Sequence, residues 1–274
     1  LARVDDDGVT FKSHLDGSMH RFTPEVSMQV QAQLGADIMF AFDELTTLMN
    51  TRDYQVDSLE RTRRWAERCV VEHDRLQQSR SNTTAQALFG VIQGAQHEDL
   101  RRKAARDLAG MDFSGFGIGG ALQKDALGEI LGWVVDELPD NKPRHLLGIG
   151  EPDDLFVAIA SGADTFDCVS PSRVARNSAV FHRNGRFNLL TAASRRAFVP
   201  IDDACDCYTC GHYTRAYLHH AFKAKEMIAA TLATIHNERF IVRLVDDIRH
   251  SITVGQMSDF QREFIGRYYA ARVV

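Results

Sequence analysis

Three of the chain's five cysteines fall within six residues, as Cys205-x-Cys207-x-x-Cys210. Thiolates held this close repel one another unless a cation sits among them, so the spacing points to a metal over three ordinary thiols. A closed structural zinc site takes four ligands, and a single zinc here needs a fourth donor; His212, His219, His220 and His236 all lie downstream. The odd cysteine count also argues against a disulfide framework. Such a site staples loops and performs no reaction of its own. A second set of polar residues is spread along the chain but shares a position. Asp43-Glu44, Gln93-Gly94, Gly119-Gly120, Gly150-Glu151 and Asp167 each close a short apolar run. Carboxylates and an amide gathered in this way could do nucleophilic and hydrogen-bonding work on a bound molecule. Each has a plainer alternative: Asp167 capping the next turn, Asp43 paired with an arginine, Gly119-Gly120 making a tight turn.

The elements that must position these residues alternate. Apolar strands are expected at 37–42, 87–92, 115–119, 145–150 and 164–169, and amphipathic helices at 58–78, 98–108, 126–138 and 153–160. Strands and helices in alternation imply right-handed crossovers and a parallel sheet, an α/β fold. An open doubly wound sheet and a (β/α)8 TIM barrel both meet that description. The polar strand ends favour the barrel, which keeps its chemistry at the C-terminal ends of its strands, and no strand leads into a Gly-x-Gly-x-x-Gly turn. Five strands leave three of the eight unaccounted for. With Leu1 as first residue and a hairpin-like opening over 9–22, the expectation is a chain whose first three barrel strands are missing. After Val169 the rhythm breaks into a strand-rich segment (179–190), the cysteine cluster, and helices expected at 214–236, 238–252 and 258–272. Residues 1–274 therefore read as one partial barrel domain with a zinc-binding insertion near the C-terminus, at about 178–236.

With 44% hydrophobic and 25% charged residues, 274 residues can bury a sizeable core. The apolar runs are too short to cross a bilayer, and no basic segment followed by an apolar one opens the chain; a cytoplasmic protein with no membrane partner is expected. The formal net charge of -5 offers nucleic acid no global attraction. Between residues 171 and 225, however, nine Arg and Lys face three Asp, a local excess of +6 that could meet phosphates. Arg61, Arg63 and Arg64 read as a solvated helix face.

Together these residues resemble a known family. Val9-Thr-Phe-Lys-Ser-His-Leu-Asp-Gly17, Phe42-Asp-Glu44, Gln93-Gly94, Gly119-Gly120, Gly148-Ile-Gly-Glu-Pro-Asp-Asp154, Phe166-Asp-Cys-Val-Ser-Pro-Ser-Arg173, the cysteine cluster and Ala216-Tyr-Leu-His-His220 are similar to the motifs of the tRNA-guanine transglycosylases, in family order over nearly the whole chain. The resemblance implies a (β/α)8 barrel with a zinc insertion. It also implies a pentosyltransferase that exchanges guanine at the wobble position of a GUN anticodon in tRNA for a 7-deazaguanine queuosine precursor, by double displacement through a covalent enzyme–RNA intermediate. By motif match, Asp167 is the nucleophile, and Asp43, Gln93, Gly119, Gly120 and Leu147 form the base pocket. Gly148, Ile149, Gly150, Glu151, Pro152, Asp153 and Asp154, with Ser172, Arg173, Val174, Ala175 and Arg176, fall on RNA-contacting loops. Cys205, Cys207, Cys210 and His236 fall on the ligands of one structural zinc, and a homodimer formed through the zinc region is implied.

The chemistry can be argued from the residue types as well. Breaking a bond from ribose to a purine builds positive charge on the sugar, which a carboxylate on the opposite face can trap until the incoming base displaces it. A second carboxylate, Asp43, would orient the leaving base through its adjacent N–H donors. Gln93 and the Gly120 N–H would meet the ring carbonyl, where negative charge develops.

Some positions depart from the pattern. The family's Asp-Ser/Thr-Gly-Gly motif, whose aspartate is the general acid/base, would precede Leu1 and is not in this sequence, as expected of a chain that starts part-way through the enzyme. Ala121 stands where a leucine is usual, and Leu45-Thr-Thr-Leu-Met49 replaces a frequent Cys-Thr-Pro, which leaves open whether the base is the aminomethyl precursor or queuine. No RNA-binding extension follows Val274, which points to the bacterial type. The competing reading is a non-catalytic, zinc-stapled partner subunit that dimerises and helps hold tRNA. Asp43, Gln93 and Asp167 occurring together favour catalysis, and the basic segment disfavours a barrel enzyme acting on a small metabolite.

Overall fold

An aspartate fixes the first turn. In the computed structural model, which describes residues 2–79, 85–120 and 123–270, the Asp5 carboxylate accepts the N–H groups of Asp7 and Gly8 and pairs with both Arg21 amino groups. This locks an antiparallel meander of β1 (Ala2–Asp5), β2 (Gly8–Lys12) and β3 (Met19–Phe22). The sequence reading anticipates only the second of its two hairpins, because β1 is mostly polar and half exposed. α1 (Pro24–Leu34) follows, with Thr23 capping the Val26 N–H and proline in its first turn.

The chain then alternates as expected: β4 (Ile38–Phe40), α2 (Arg52–Ser79), β5 (Ala87–Ile92), α3 (Glu98–Ala109), β6 (Gly115–Ile118), α4 (Leu127–Val135), β7 (Arg144–Leu146), α5 (Pro152–Ala160) and β8 (Thr165–Phe166). All five strands pair in parallel and in sequence order, β4-β5-β6-β7-β8. The order never reverses, so there is no switch point of the doubly wound kind. The fold is α/β, with a five-stranded sheet curled like part of a (β/α)8 barrel. Leu88, Phe89, Val91, Ile92, Phe116, Ile118 and Leu146 are buried, as parallel strands covered on both faces require. The helices answer with stripes three and four residues apart, such as Leu100, Ala104, Ala105 and Leu108 on α3 and Leu127, Ile130, Leu131 and Val134 on α4.

Two expectations about these elements need correction. α2 starts six residues earlier than the apolar pattern suggests, because the Thr51 hydroxyl accepts the Tyr54 N–H and sets the first turn there. β7 and β8 are much shorter than expected, since the chain leaves the ladder at Leu147 and Asp167, where the polar and glycine residues begin. Glycines in β6 make room for rings from β5 and β4: a Cβ at Gly115 would lie 2.5 Å from Phe89, and one at Gly117 would lie 2.9 Å from Phe40.

The residues fall into two compact units, Leu1–Leu147 with Val157–Asp167, and Gly148–Phe156 with Cys168–Val274. The second contains α6 (Ser170–Arg176), the short antiparallel pair β9 (Ala179–Val180) and β10 (Phe187–Asn188), α7 (Tyr208–His212), α8 (Arg215–Lys223), α9 (Met227–Thr253) and α10 (Met257–Ala270). Its core gathers Ala175, Val180, Leu189, Ile201, Leu218, Leu232 and Ala233. The helix breaks differ from those expected. The chain turns at Ala224-Lys225, not at Asn237, and α9 runs unbroken from Met227 to Thr253. Asparagine in mid-helix usually competes with its own backbone. Here the fully buried Asn237 side chain instead accepts the Phe181 N–H and donates to the Pro171 and Ala179 carbonyls. No helix among the described residues is long and apolar enough to cross a membrane. The expected helix end at 272, and Ala121, lie outside the described residues.

Candidate active site and metal centre

Each strand of the parallel sheet delivers one candidate residue just past its C-terminal end: Asp43 after β4, Gln93 after β5, Gly119-Gly120 after β6, Leu147 after β7 and Asp167 after β8. The structure brings the residues after β4, β5, β6 and β7 into contact. Gln93 Nε2 donates to Asp43 Oδ2 at 2.6 Å, so the partner of Asp43 is an amide and not an arginine. A Cβ on Gly119 would lie 3.1 Å from Gln93 Nε2 and 3.2 Å from Leu147 Cδ1, which puts the amide and the leucine against the same strand end. Gly120, at φ +89°, leaves no room for a side chain, since a Cβ there would stand 2.7 Å from Gln93 Oε1.

The electrostatics of this cluster are unusual. Burial pushes the Asp43 carboxyl up to about 6, with the neighbouring Glu44 charge adding to the rise, while the Gln93 hydrogen bond pulls the other way. Gln93 Oε1 is buried without a hydrogen-bond partner. Asp167, with its side chain 59% exposed, lies 3.1 Å from His145 Nε2, and His145 Nδ1 contacts Thr165 Oγ1 at 2.9 Å. Phe40 packs against the imidazole with ring centroids 5.3 Å apart. The nucleophile candidate is therefore accessible, and its carboxylate is steered by a histidine that is itself held.

In the second unit, Cys205, Cys207, Cys210 and His236 bring their ligand atoms within 4.8 Å of one another. His236 is fully buried, and its Nε2 sits 2.7 Å from the Phe181 carbonyl oxygen. That carbonyl can only accept, so Nε2 carries the proton and Nδ1 presents its lone pair to the sulfurs, the arrangement typical of metal-binding histidines. Nδ1 lies 3.3 Å from Cys210 Sγ and 3.6 Å from Cys207 Sγ. A tetrahedral zinc with Zn–S near 2.3 Å and Zn–N near 2.0 Å would set these edges at about 3.5 Å. Hydrogen bonds from Cys205 and Cys210 draw the Cys207 thiol down, while hydrogen bonding with Cys205 and Cys207 pushes Cys210 far up. A set of sulfurs that cannot all ionise together unaided is the donor set a cation would complete. Of the four histidines left open by spacing, His212 and His219 spend Nδ1 on the Tyr208 and Leu189 carbonyls. His236 alone joins the cluster among the described residues.

The RNA-contact candidates lie in the same unit. A Cβ on Gly150 would meet Cys168 Cβ at 2.5 Å, and Glu151 accepts the Ser170 hydroxyl and lies 3.7 Å from Arg186. Pro152, Asp153 and Asp154 open α5, Asp154 being buried. On α6, Arg173 and Arg176 are exposed and Ser172 Oγ bonds the Val169 carbonyl, whereas Ala175 is wholly buried in the core. Any contribution of Ala175 to RNA binding is thus confined to its backbone.

A family model described as queuine tRNA-ribosyltransferase matches residues 1–270. The chain belongs to the queuine tRNA-ribosyltransferase family. It is 45% identical over 275 residues to a queuine tRNA-ribosyltransferase of Caldanaerobacter subterraneus subsp. tengcongensis, covering 99% of this chain and 72% of the relative. It is 44% identical to that of Thermoanaerobacter pseudethanolicus, over 98% of the chain and 70% of the relative, and 43% identical to that of Bacillus subtilis, over 97% and 68%.

In this queuine tRNA-ribosyltransferase family member, sequence reasoning overlooks three supports of the site. His145 pairs with Thr165 across β7 and β8, and Asp167 stands two residues on, so the two-residue strand period was the available signal. Arg101 is fully buried on α3, between Leu100 and Ala104 on the apolar stripe. Arg61 does not face solvent as expected. It pairs with the buried Glu44, which also accepts the Tyr54 hydroxyl at 2.5 Å and whose N–H donates to Thr62. This network pins the backbone next to Asp43.

Proposed function

We propose that the protein is a tRNA-guanine transglycosylase that works by double displacement through Asp167. The observation that carries this reading is the convergence of Asp43, Gln93, Gly119-Gly120, Leu147 and Asp167 at the ends of five successive parallel strands. An Asp167 oxygen forms a bond to ribose C1′ as the bond from C1′ to the purine nitrogen breaks, its electron pair staying on the base. The incoming 7-deazaguanine, after losing a proton, attacks the same carbon and releases Asp167, so two inversions restore the original configuration. Asp43 must be ionised to accept the N–H groups of the guanine edge, and its proximity to Gln93 keeps both groups turned to one face. Leu147 supplies an apolar wall.

The remaining assignments belong to the same reading. Cys205, Cys207, Cys210 and His236 would hold one structural zinc, which when bound supplies a fixed tetrahedral tie from the 205–210 loop to α9 and no chemistry. Residues 148–154 and 172–176, with the exposed Arg173 and Arg176, would contact the backbone of a tRNA with a GUN anticodon. Residues 1–274 would form part of one catalytic barrel domain with a zinc-binding subdomain at about 178–236, in a cytoplasmic homodimer. A partner subunit without catalysis would have no use for a buried carboxylate beside Gln93. Full-length protein is expected to incorporate labelled guanine into tRNA, and Asp167→Ala to abolish incorporation; undiminished incorporation by that variant refutes the assignment.

A further inference from the structure

The fully buried guanidinium of Arg101 has no carboxylate within ion-pair distance among the described residues. Its Nε donates to the Ala95 carbonyl at 2.8 Å, and Nη1 to the carbonyls of Gly119 at 2.6 Å and Ile92 at 3.2 Å. Nη2 is buried with no acceptor. A Cβ on Gly120 would lie 3.0 Å from Nη2 and 2.7 Å from the equally unpartnered Gln93 Oε1. An orphan donor and an orphan acceptor therefore flank one glycine. Burial draws the guanidinium down only to about 10, so the charge is present at neutral pH. An unpaired interior cation is costly for a fold to keep, and its position beside the base pocket is where such a cost has a use.

The peptide between Gly119 and Gly120 explains the use. In a planar trans peptide the carbonyl and the N–H point in opposite directions. Arg101 clamps the Gly119 carbonyl, so the Gly120 N–H is aimed away from the guanidinium, and no acceptor for it is found among the described residues. A hydrogen bond from a cation to that carbonyl also polarises the peptide and strengthens its N–H as a donor. We propose that Arg101 is a positioning residue of the base pocket, aiming and polarising the Gly120 N–H so that it stabilises the departing base more as an anion than as the neutral bound purine. The inference rests on the transglycosylase reading. When the glycosidic bond breaks, its electron pair stays on the base, part of that charge reaches the ring carbonyl oxygen, and a proton is later taken up from water.

The test compares Arg101→Gln and Arg101→Lys with wild type in full-length protein, following single-turnover adduct formation with two anticodon stem-loop RNAs. One carries guanine at the target position and the other the more acidic 8-azaguanine. Arg101→Gln is expected to slow adduct formation from guanine RNA about 100-fold, and from the 8-azaguanine RNA by about tenfold or less, with KM for RNA changed by no more than about threefold. Arg101→Lys is expected to recover part of the loss. A folded Arg101→Gln protein that reacts at the wild-type rate, or that slows equally on both RNAs, overturns the proposal. If Arg101→Gln does not fold, Arg101→Lys decides on the same contrast: a deficit that shrinks with the more acidic base supports the proposal, and a uniform deficit or none overturns it. Wild-type protein that forms no adduct with either RNA removes the transglycosylase reading itself, and the inference with it.

Discussion

Asp43 sits in dense protein with an amide, and no cation among the described residues, as its partner. Its folded-state value near 6 lies above its ordinary 3.8, so protonation favours the fold. This contribution to stability is fully present below about pH 4 and is lost as pH rises through about 6. Guanine recognition needs the ionised form, so the affinity for free guanine should fall as pH drops through the same window. Asp43→Asn should therefore hold or raise stability at pH 7, by up to about 3 kcal/mol, while abolishing guanine binding. Thermal melts together with calorimetric titration of guanine from pH 5 to 8 check both halves. A variant that loses stability at pH 7 and keeps its affinity would contradict the account. Residue chemistry was largely legible from sequence, because strand-end acids and clustered thiols announce themselves by type. Arg101 and Arg61 did not, since an arginine on an apolar stripe reads as surface until its carbonyl and carboxylate partners, distant in sequence, are known.

Among the elements, α8 and α9 show what spacing can and cannot say. α9 ends in a Schellman turn, where the Gln256 N–H reaches the Ser251 carbonyl, the Gly255 N–H reaches Ile252, and Gly255 has φ +71°. Its glycine marks the end in the sequence. α8 ends in the same motif, with Glu226 N–H to Ala221 and Lys225 N–H to Phe222, but the left-handed position holds Lys225 at φ +59°. A lysine gives no such signal, so the break was expected a dozen residues too late. Lys225→Gly should relieve this strain and raise stability by about 1 kcal/mol, and a denaturation midpoint at or below that of wild type would count against it. α6 carries a second prediction. Arg173 and Arg176 are exposed and have no acidic partner among the described residues, whereas Arg183 and Arg239 are paired with Asp202 and Asp206. The double change Arg173→Gln with Arg176→Gln should weaken tRNA binding and lower the salt slope by roughly 2; an unchanged slope removes α6 from the interface.

At the scale of the molecule, the candidate metal site and the candidate active site fall in different units. The Cys205, Cys207, Cys210 and His236 cluster lies in one compact unit, and the strand-end residues from Asp43 to Asp167 lie in the other. Metal analysis should return one zinc per chain. Chelation should lower thermal stability by several kcal/mol while leaving the exchange rate per folded molecule unchanged; an unaltered melting curve would contradict the zinc assignment. The parallel order of the sheet was legible because alternating strands and helices admit few topologies. The first hairpin of the meander was not legible, because strand pairing decides it, and spacing alone left four histidines open, His236 being singled out only by the family motifs.

The central claim is that one carboxylate forms a transient ester with a sugar. Full-length protein is incubated with an anticodon stem-loop RNA, quenched in denaturant, digested, and mapped by mass spectrometry. The account predicts a ribosyl adduct on Asp167 that disappears when excess guanine is added before the quench. An adduct on another residue, or base exchange without any adduct, would contradict it.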